Sequence, residues 1–170
     1  MSYCADKDVY VISDIPTGMF SSSSLHVLDP KTRKVVSTAT SSNLSYPNYV
    51  HAGSLLGCYG SAIAASDKGR ILIFDMRGNM AKEAAMVAAH KSDATYGVSS
   101  DPAGNILVAC KGYMHGSIVS YTQHGSDISR TKLVATDYMY TPGDLSVDCD
   151  SRVVAVAGLA TPRVDSYLAV

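Results

Sequence analysis

The chain has 170 residues, a formal net charge of -1 and 17% charged residues, against roughly 25% in an average domain. This length predicts a single domain, 1–170, large enough to bury a core. The balanced charge excludes an electrostatic nucleic-acid binder, so no nucleic-acid partner is expected. Membrane insertion is not expected either, because no apolar run approaches the roughly 20 residues of a membrane helix. The charged start, Asp6-Lys7-Asp8, is unlike a signal peptide.

The cysteines indicate the compartment. Cys4, Cys58, Cys110 and Cys149 lie far apart in the chain, and no pair has the close spacing of metal ligands. We therefore predict reduced thiols in an intracellular, cytoplasmic protein. The glycosylation triplet Asn43-Leu44-Ser45 points towards secretion, but such triplets are frequent by chance.

In chain order, short runs with apolar residues at alternate positions predict β-strands separated by turns. The runs lie at residues 9–12, 25–29, 35–39, 61–65, 71–75, 84–88, 95–100, 106–109, 118–122, 132–135, 143–147, 153–156 and 164–168. Asp67-Lys68-Gly69 predicts a tight hairpin, and 101–105 predicts a turn between two strands. The segment 80–90 has high helix propensity, but its place in the pattern favours a strand.

The strands repeat with a period of about 46 residues, which is the main signal in the sequence. Strands that begin at Leu25, Ile71, Ile118 and Val164 are spaced by 46, 47 and 46 residues. Each belongs to a unit of about four strands. The predicted repeats are approximately 1–48, 49–93, 94–137 and 138–170.

Antiparallel four-stranded units repeated every 40–50 residues or so are typical of β-propeller blades. The second and third units resemble the WD-repeat family. Residues 64–75 resemble its hairpin, with Phe74-Asp75 in place of the final Trp-Asp pair, and residues 89–109 resemble its Gly-His, strand and turn pattern. The stretch 97–109 also resembles propellers of the NHL type. The resemblance implies an all-β, propeller-type fold of about 3.7 repeats, which would form half of a larger ring.

The WD-repeat family has a hydrogen-bonded tetrad of His, Asp, hydroxyl and Trp within a blade. The resemblance therefore implies structural roles for His51, Asp67, Phe74, Asp75 and His90. Phe74 lacks an indole N–H, so the complete tetrad is not expected in the second unit. The first and fourth units match the motif poorly.

The fourth repeat lacks a last strand, so the predicted ring is incomplete. Exposed blade faces favour association. A second copy could complete a ring of about 7–8 blades by twofold symmetry, another protein could supply the remaining blades, or the chain could be a piece of a longer protein. Tyrosine is enriched at interfaces. The candidate interface residues are Tyr96, Tyr113, Tyr138 and Tyr140.

The sequence contains no catalytic elbow, phosphate-binding loop or HExxH motif. The best candidates for an acid–base or metal site are His115, His124 and Asp127, which flank one predicted strand. Their geometry is not defined by the sequence, so we predict no catalytic, cofactor-binding or metal residue and no cofactor. The favoured function is a non-catalytic scaffold that binds protein or peptide partners through blade loops. The alternatives are a propeller enzyme of the lactonase, lyase or hydrolase type with a central-channel site, and a lectin-like recognition propeller.

Overall fold

The fold was obtained as a computed structural model of the whole chain. The structure describes residues 1–15, 17, 22–55, 61–77, 80–88, 94–111, 116–124, 127–136, 142–148, 153–158 and 164–168. Within these ranges the chain forms fifteen β-strands and a single turn of 3-10 helix at Ala5–Lys7. No helix in these ranges is long and apolar enough to cross a bilayer.

The strands form four antiparallel sheets, here called blades 1 to 4, and within each blade the strands lie in chain order. Blade 1 contains β1 (Ser2–Cys4), β2 (Val9–Asp14), β3 (Ser24–Asp29) and β4 (Lys34–Ala39). Blade 2 contains β5 (Pro47–Ser54), β6 (Ser61–Asp67), β7 (Arg70–Arg77) and β8 (Met80–Ala88). Blade 3 contains β9 (Ala94–Ser100), β10 (Ile106–Lys111), β11 (Gly116–His124) and β12 (Asp127–Thr136). Blade 4, in its described part, contains β13 (Pro142–Asp148), β14 (Val153–Gly158) and β15 (Val164–Leu168).

These sheets confirm the predicted all-β architecture and every predicted strand. The segment with high helix propensity is strand β8, which pairs along its length with β7, from Arg77–Met80 to Arg70–Ala88. Backbone pairing with a buried neighbour therefore overrides local propensity. Two strands were not predicted: β1 is only three residues long, and β5 has the weak strand formers Pro47, Asn48 and Gly53.

The blades pack face to face in chain order. Their first strands, β1, β5, β9 and β13, contact one another in succession and form the inner edge. Three apolar clusters fill the spaces between consecutive blades. They include Val11, Val27, Ile63 and Phe74 between blades 1 and 2; Ala62, Ile73, Val108 and Tyr121 between blades 2 and 3; and Leu107, Ile118, Leu145 and Val156 between blades 3 and 4. Because alternate residues of a strand face opposite sides, the middle strand β6 is buried at all seven positions.

Both predicted turns are present, and local chemistry explains them. Lys68 and Gly69 have φ of 44° and 83°, the two positive values that a type I′ hairpin turn requires. In the turn after β9, the Asp101 carboxylate accepts hydrogen bonds from the backbone N–H of Asn105 at 2.9 Å and from its side-chain amide at 2.7 Å. Gly104, with φ of 84°, allows the chain to reverse there.

The inner strands of blades 3 and 4 approach so closely that β9 needs a glycine. A Cβ added to Gly97 would lie 2.5 Å from the Cα of Asp144 and 2.7 Å from the backbone nitrogen of Leu145. Both atoms belong to the backbone of β13 and cannot rotate away. Gly97 therefore sets the distance between the two inner strands.

We predict that Gly97→Ala destabilises the chain by about 1–3 kcal/mol, because β9 and β13 must separate to admit the methyl group. Gly53→Ala on β5 is the matched control, since its added Cβ would meet only the imidazole Nε2 of His51 at an ordinary 3.6 Å. Urea unfolding of both variants measures the difference. Equal loss of stability in the two variants would contradict the steric explanation.

Candidate functional site

Three side chains occupy the same level on the inner edge of the blades. Tyr49, Tyr96 and Asp144 are each the third residue of an inner strand, β5, β9 and β13 respectively. The two tyrosine rings meet edge to face, with centroids 6.5 Å apart and an angle of 66° between the planes. We call these three residues the inner-strand row. It combines two aromatic faces with a carboxylate near the end at which the inner strands begin.

The electrostatics of the row are negative. Burial raises the pKa of the Tyr49 phenol, and the charge of Asp144 and the neighbouring Tyr96 raise it further. Asp144 is exposed, and its Oδ1 accepts a hydrogen bond from the backbone N–H of Leu145 at 2.9 Å. That bond orients the carboxylate. The Tyr49 phenol therefore stays protonated at neutral pH.

A second polar contact lies further along the same inner edge. His51 Nε2 is 2.9 Å from Ser100 Oγ, so the hydrogen bond joins β5 of blade 2 to β9 of blade 3. Burial lowers the pKa of His51, which keeps the imidazole neutral near pH 7. A neutral imidazole beside a hydroxyl is the smallest nucleophile–base arrangement. Among the described side chains, no carboxylate hydrogen-bonds to the other ring nitrogen to complete a triad.

Asp67 has a different set of partners from His51. Its buried carboxylate accepts the backbone N–H of Ser45 at 2.6 Å and that of Tyr46 at 2.8 Å, and the Ser45 hydroxyl donates to it at 3.1 Å. Asp67 thus fixes the chain where it enters β5, just before Tyr49. The Lys68 ammonium lies 5.8 Å from the centre of the Tyr46 ring at the same end.

Of the other residues singled out from the sequence, Phe74 and Asp75 lie apart from the row. Phe74 is fully buried in the cluster between blades 1 and 2, and the Asp75 carboxylate pairs with the guanidinium of Arg77 at 2.9 Å. Four lie outside the described residues: His90, Tyr113, Tyr138 and Tyr140. His115 also lies outside them, and the side chains of His124 and Asp127 are not described. In the described part of the chain no group of three His, Cys, Asp or Glu side chains could hold a metal ion.

The site residues selected from the sequence do not include Tyr49, Asp144 or Ser100. The available signal was the repeat itself, because Tyr49, Tyr96 and Asp144 are spaced by 47 and 48 residues, close to one repeat. Asp144 stands where the two preceding blades have tyrosine, so a comparison by residue type alone does not reveal the equivalence. The thiols of Cys4 and Cys110 are buried, while Cys58 and Cys149 lie outside the described residues.

Blade 1 has a second notable surface on the side away from blade 2. Tyr3, Tyr10, Leu28 and Val35 face one another across all four strands of this sheet. Tyr3 is 48% exposed and Val35 is 53% exposed, and the Tyr3 and Tyr10 rings are 5.1 Å apart. We call this row of four residues the free face of blade 1. A sheet face in contact with water is usually polar, so an apolar row across the full width of the sheet is typical of a surface that another element covers.

Comparisons with known proteins identify the fold. The chain has a TM-score of 0.68 and 14% identity to hydrazine synthase from Kuenenia stuttgartiensis, with 98% of this chain and 57% of that chain aligned. A candidate 6-phosphogluconolactonase from Bacteroides uniformis has a TM-score of 0.59 and 10% identity, with 98% of this chain and 55% of that chain aligned. A second candidate 6-phosphogluconolactonase, from Bacteroides fragilis, has a TM-score of 0.61 and 10% identity, with 94% of this chain and 51% of that chain aligned. No protein-family model and no curated protein matches the sequence.

The fold is of the β-propeller type. In propellers the blades surround a central channel that their innermost strands line. The inner-strand row and the His51–Ser100 pair lie on strands that hold this innermost position in their blades. The chain spans between 51% and 57% of the length of these three solved chains.

Stability is expected to depend on the protonation of His51. Because burial lowers its folded-state pKa below the unfolded value of roughly 6.5, the unfolded chain binds the proton more readily. The contribution of neutral His51 to the free energy of unfolding is therefore complete above about pH 6.5. It is lost as the pH falls through the folded-state pKa, and the free energy of unfolding then changes by up to about 1.4 kcal/mol per pH unit.

His51→Gln removes the titrating group while its amide can still hydrogen-bond to Ser100. Urea midpoints measured between about pH 8 and pH 5 should fall less steeply for this variant than for the unmodified chain. The partly exposed His26, replaced by Gln, is the control. Parallel pH profiles for His51→Gln and the unmodified chain would show that His51 does not titrate differently in the two states.

Proposed function

We propose that this chain is a non-catalytic, propeller-type interaction module that completes its ring by association with a second copy of itself. The observation that carries the proposal is the free face of blade 1, an apolar row of Tyr3, Tyr10, Leu28 and Val35 across four strands. Residues at the equivalent face of blades 2 and 3 are buried against the preceding blade. The free face of blade 1 has the composition of a blade interface.

Blade 4 offers a surface of the complementary kind. Leu145 and Val156 face blade 3, so the alternate residues Ser146, Ala155 and Ala157 face the other way. These three residues, together with Asp144 and Leu145, line a shallow cavity of about 160 Å³. Small side chains at this face leave room for larger ones from a neighbouring blade, as Ala62 and Ala64 of blade 2 do for blade 3.

The two free surfaces are the opposite sides of a blade, so blade 4 of one copy can dock on blade 1 of the other, and the reverse, around a twofold axis. The length ratio agrees with this arrangement, because one chain matches between 51% and 57% of three longer solved chains. A WD-repeat-like or NHL-like affiliation and a cytoplasmic location are part of the same proposal. The role of Asp67 in holding the loop before β5 supports the affiliation.

The proposal predicts a solution mass of twice 17.9 kDa for the purified chain. Val35→Lys places a charge in the apolar row and should return the mass to that of the monomer, because the ammonium would have to be desolvated at the interface. Thr40→Lys, an exposed position just after β4, is the control with the same added charge and should stay dimeric. Light scattering measures all three.

A monomeric unmodified chain at micromolar concentration would contradict association with a second copy. In that case the ring is completed by another protein, and affinity capture with the unmodified chain and Val35→Lys as bait would identify a partner that only the former retains. Dimerisation of Val35→Lys would show that blade 1 docks elsewhere.

A hydrolase is the second candidate, and the 2.9 Å contact between His51 Nε2 and Ser100 Oγ favours it. A neutral imidazole could take the hydroxyl proton as Ser100 attacks a lactone or ester carbonyl. The candidate 6-phosphogluconolactonases share the fold but only 10% of aligned residues, so the likeness concerns architecture alone.

The scaffold proposal predicts that the chain does not accelerate hydrolysis of 6-phosphogluconolactone above the rate in buffer. The hydrolase alternative predicts that the chain hydrolyses this lactone and that the rate falls by about 100-fold or more in Ser100→Ala and in His51→Gln. Ser146→Ala, an exposed serine on β13, is the control. Following lactone disappearance at constant pH, with and without protein, separates the two functions.

A further inference from the structure

We infer that the inner-strand row, Tyr49, Tyr96 and Asp144, is a binding site for an ammonium group. The group would be an alkylated or quaternary ammonium, carried either by a free small molecule or by a modified lysine side chain of a protein. The inference rests on residues of one chain and is tested separately from how the ring is completed.

The geometry of the two rings comes first. Tyr49 and Tyr96 lie 6.5 Å apart at 66°, so the two rings form a corner and not a flat stack. Cations are attracted to the negative face of an aromatic ring within about 6 Å of its centroid. Parallel, coplanar rings would instead form a platform for a flat ligand. Both tyrosines are only partly buried, and each packs against an apolar cluster that holds its ring in place.

The carboxylate supplies the charge. Asp144 stands at the equivalent position on the next inner strand, and the close approach of β13 to Gly97 brings its backbone against β9. One carboxylate oxygen is held by the N–H of Leu145. The ion pairs of the described residues involve Asp8, Asp14 and Asp75, and none includes Asp144.

The surroundings select against anions. Burial and the charge of Asp144 both raise the pKa of Tyr49, because each disfavours a negative charge on that phenol. Tyr46 nearby already holds a cation, the Lys68 ammonium, 5.8 Å from its ring centre. A phosphorylated sugar would be repelled by the same carboxylate, so this ligand class differs from that of the hydrolase alternative.

The test is a titration of the full chain with choline, followed by backbone amide NMR against equal concentrations of sodium chloride. The neutral isostere 3,3-dimethylbutan-1-ol has the same shape without the charge. Choline should bind saturably below about 50 mM and shift amides at residues 49–51, 96–98 and 144–146, whereas the alcohol should not. Equal shifts from the alcohol, or no saturable shift from choline, would overturn the inference.

Variants assign the effect to the row. Asp144→Asn keeps the oxygen that accepts from Leu145 but removes the charge, and should weaken choline binding by about threefold or more. Tyr96→Phe keeps the ring and should bind as the unmodified chain does, whereas Tyr96→Leu should lose binding. Asp14→Asn on blade 1 is the control for loss of a carboxylate. An unchanged affinity in both Asp144→Asn and Tyr96→Leu would place choline elsewhere and refute the site.

A tripeptide with a central trimethyllysine distinguishes the two sources of the group. Tighter binding of this tripeptide than of choline supports the site as a reader of a modified protein side chain. Tighter binding of choline supports it as a site for a free small molecule. Failure of both ligands refutes the ammonium site, and the mass of the chain in solution, which tests association, is unaffected by that result.

Discussion

The packing of one blade's apolar face on the next is the interaction on which the rest of this structure depends. A four-stranded sheet has two faces, and a single blade in water can bury neither. In blade 2, strand β6 is buried along its whole length because Ile63 and Ala65 face blade 1 while Ala62 and Ala64 face blade 3. Hydrophobic stabilisation therefore comes from the contact between two neighbouring blades. The free face of blade 1 and the side of blade 4 away from blade 3 have no neighbouring blade in the chain, so a partner could bury them.

Polar contacts between blades specify how the apolar faces meet. Asp67 fixes the chain that enters β5, and the backbone N–H of Gly69 in the β6–β7 turn donates to Thr95 Oγ1 on β9 at 3.2 Å. The contact of His51 with Ser100 joins the same two blades nearer the other end of their inner strands. Apolar packing alone tolerates sliding, whereas these hydrogen bonds are lost when the strands shift. The side chains on the inner edge are thereby held at fixed levels.

Much of the architecture could be predicted from the sequence, because strand alternation and repetition reinforce each other. The spacing of Leu25, Ile71, Ile118 and Val164 was sufficient to place β3, β7, β11 and β15. It also outweighed the helix propensity of the segment that forms β8. Two of the four inner strands were not predicted, because β1 has only three residues and β5 includes Pro47 and Gly53, which carry no alternation signal. The candidate site lies on the inner strands, and most of it was not selected from the sequence.

The positions of the free surfaces and of the inner-strand row connect the two proposals physically. Asp144 belongs to β13, the inner strand nearest the free side of blade 4, and within the chain each inner strand contacts the one that follows it. If a second copy docks there as blades dock within the chain, its β1 becomes the neighbour of β13, as β9 is the neighbour of β5. The row would then continue into the partner, and a ligand held between Tyr96 and Asp144 would approach both copies. Any ligand that contacts both copies binds the dimer more tightly than the monomer, and by reciprocity it strengthens the dimer by the same factor.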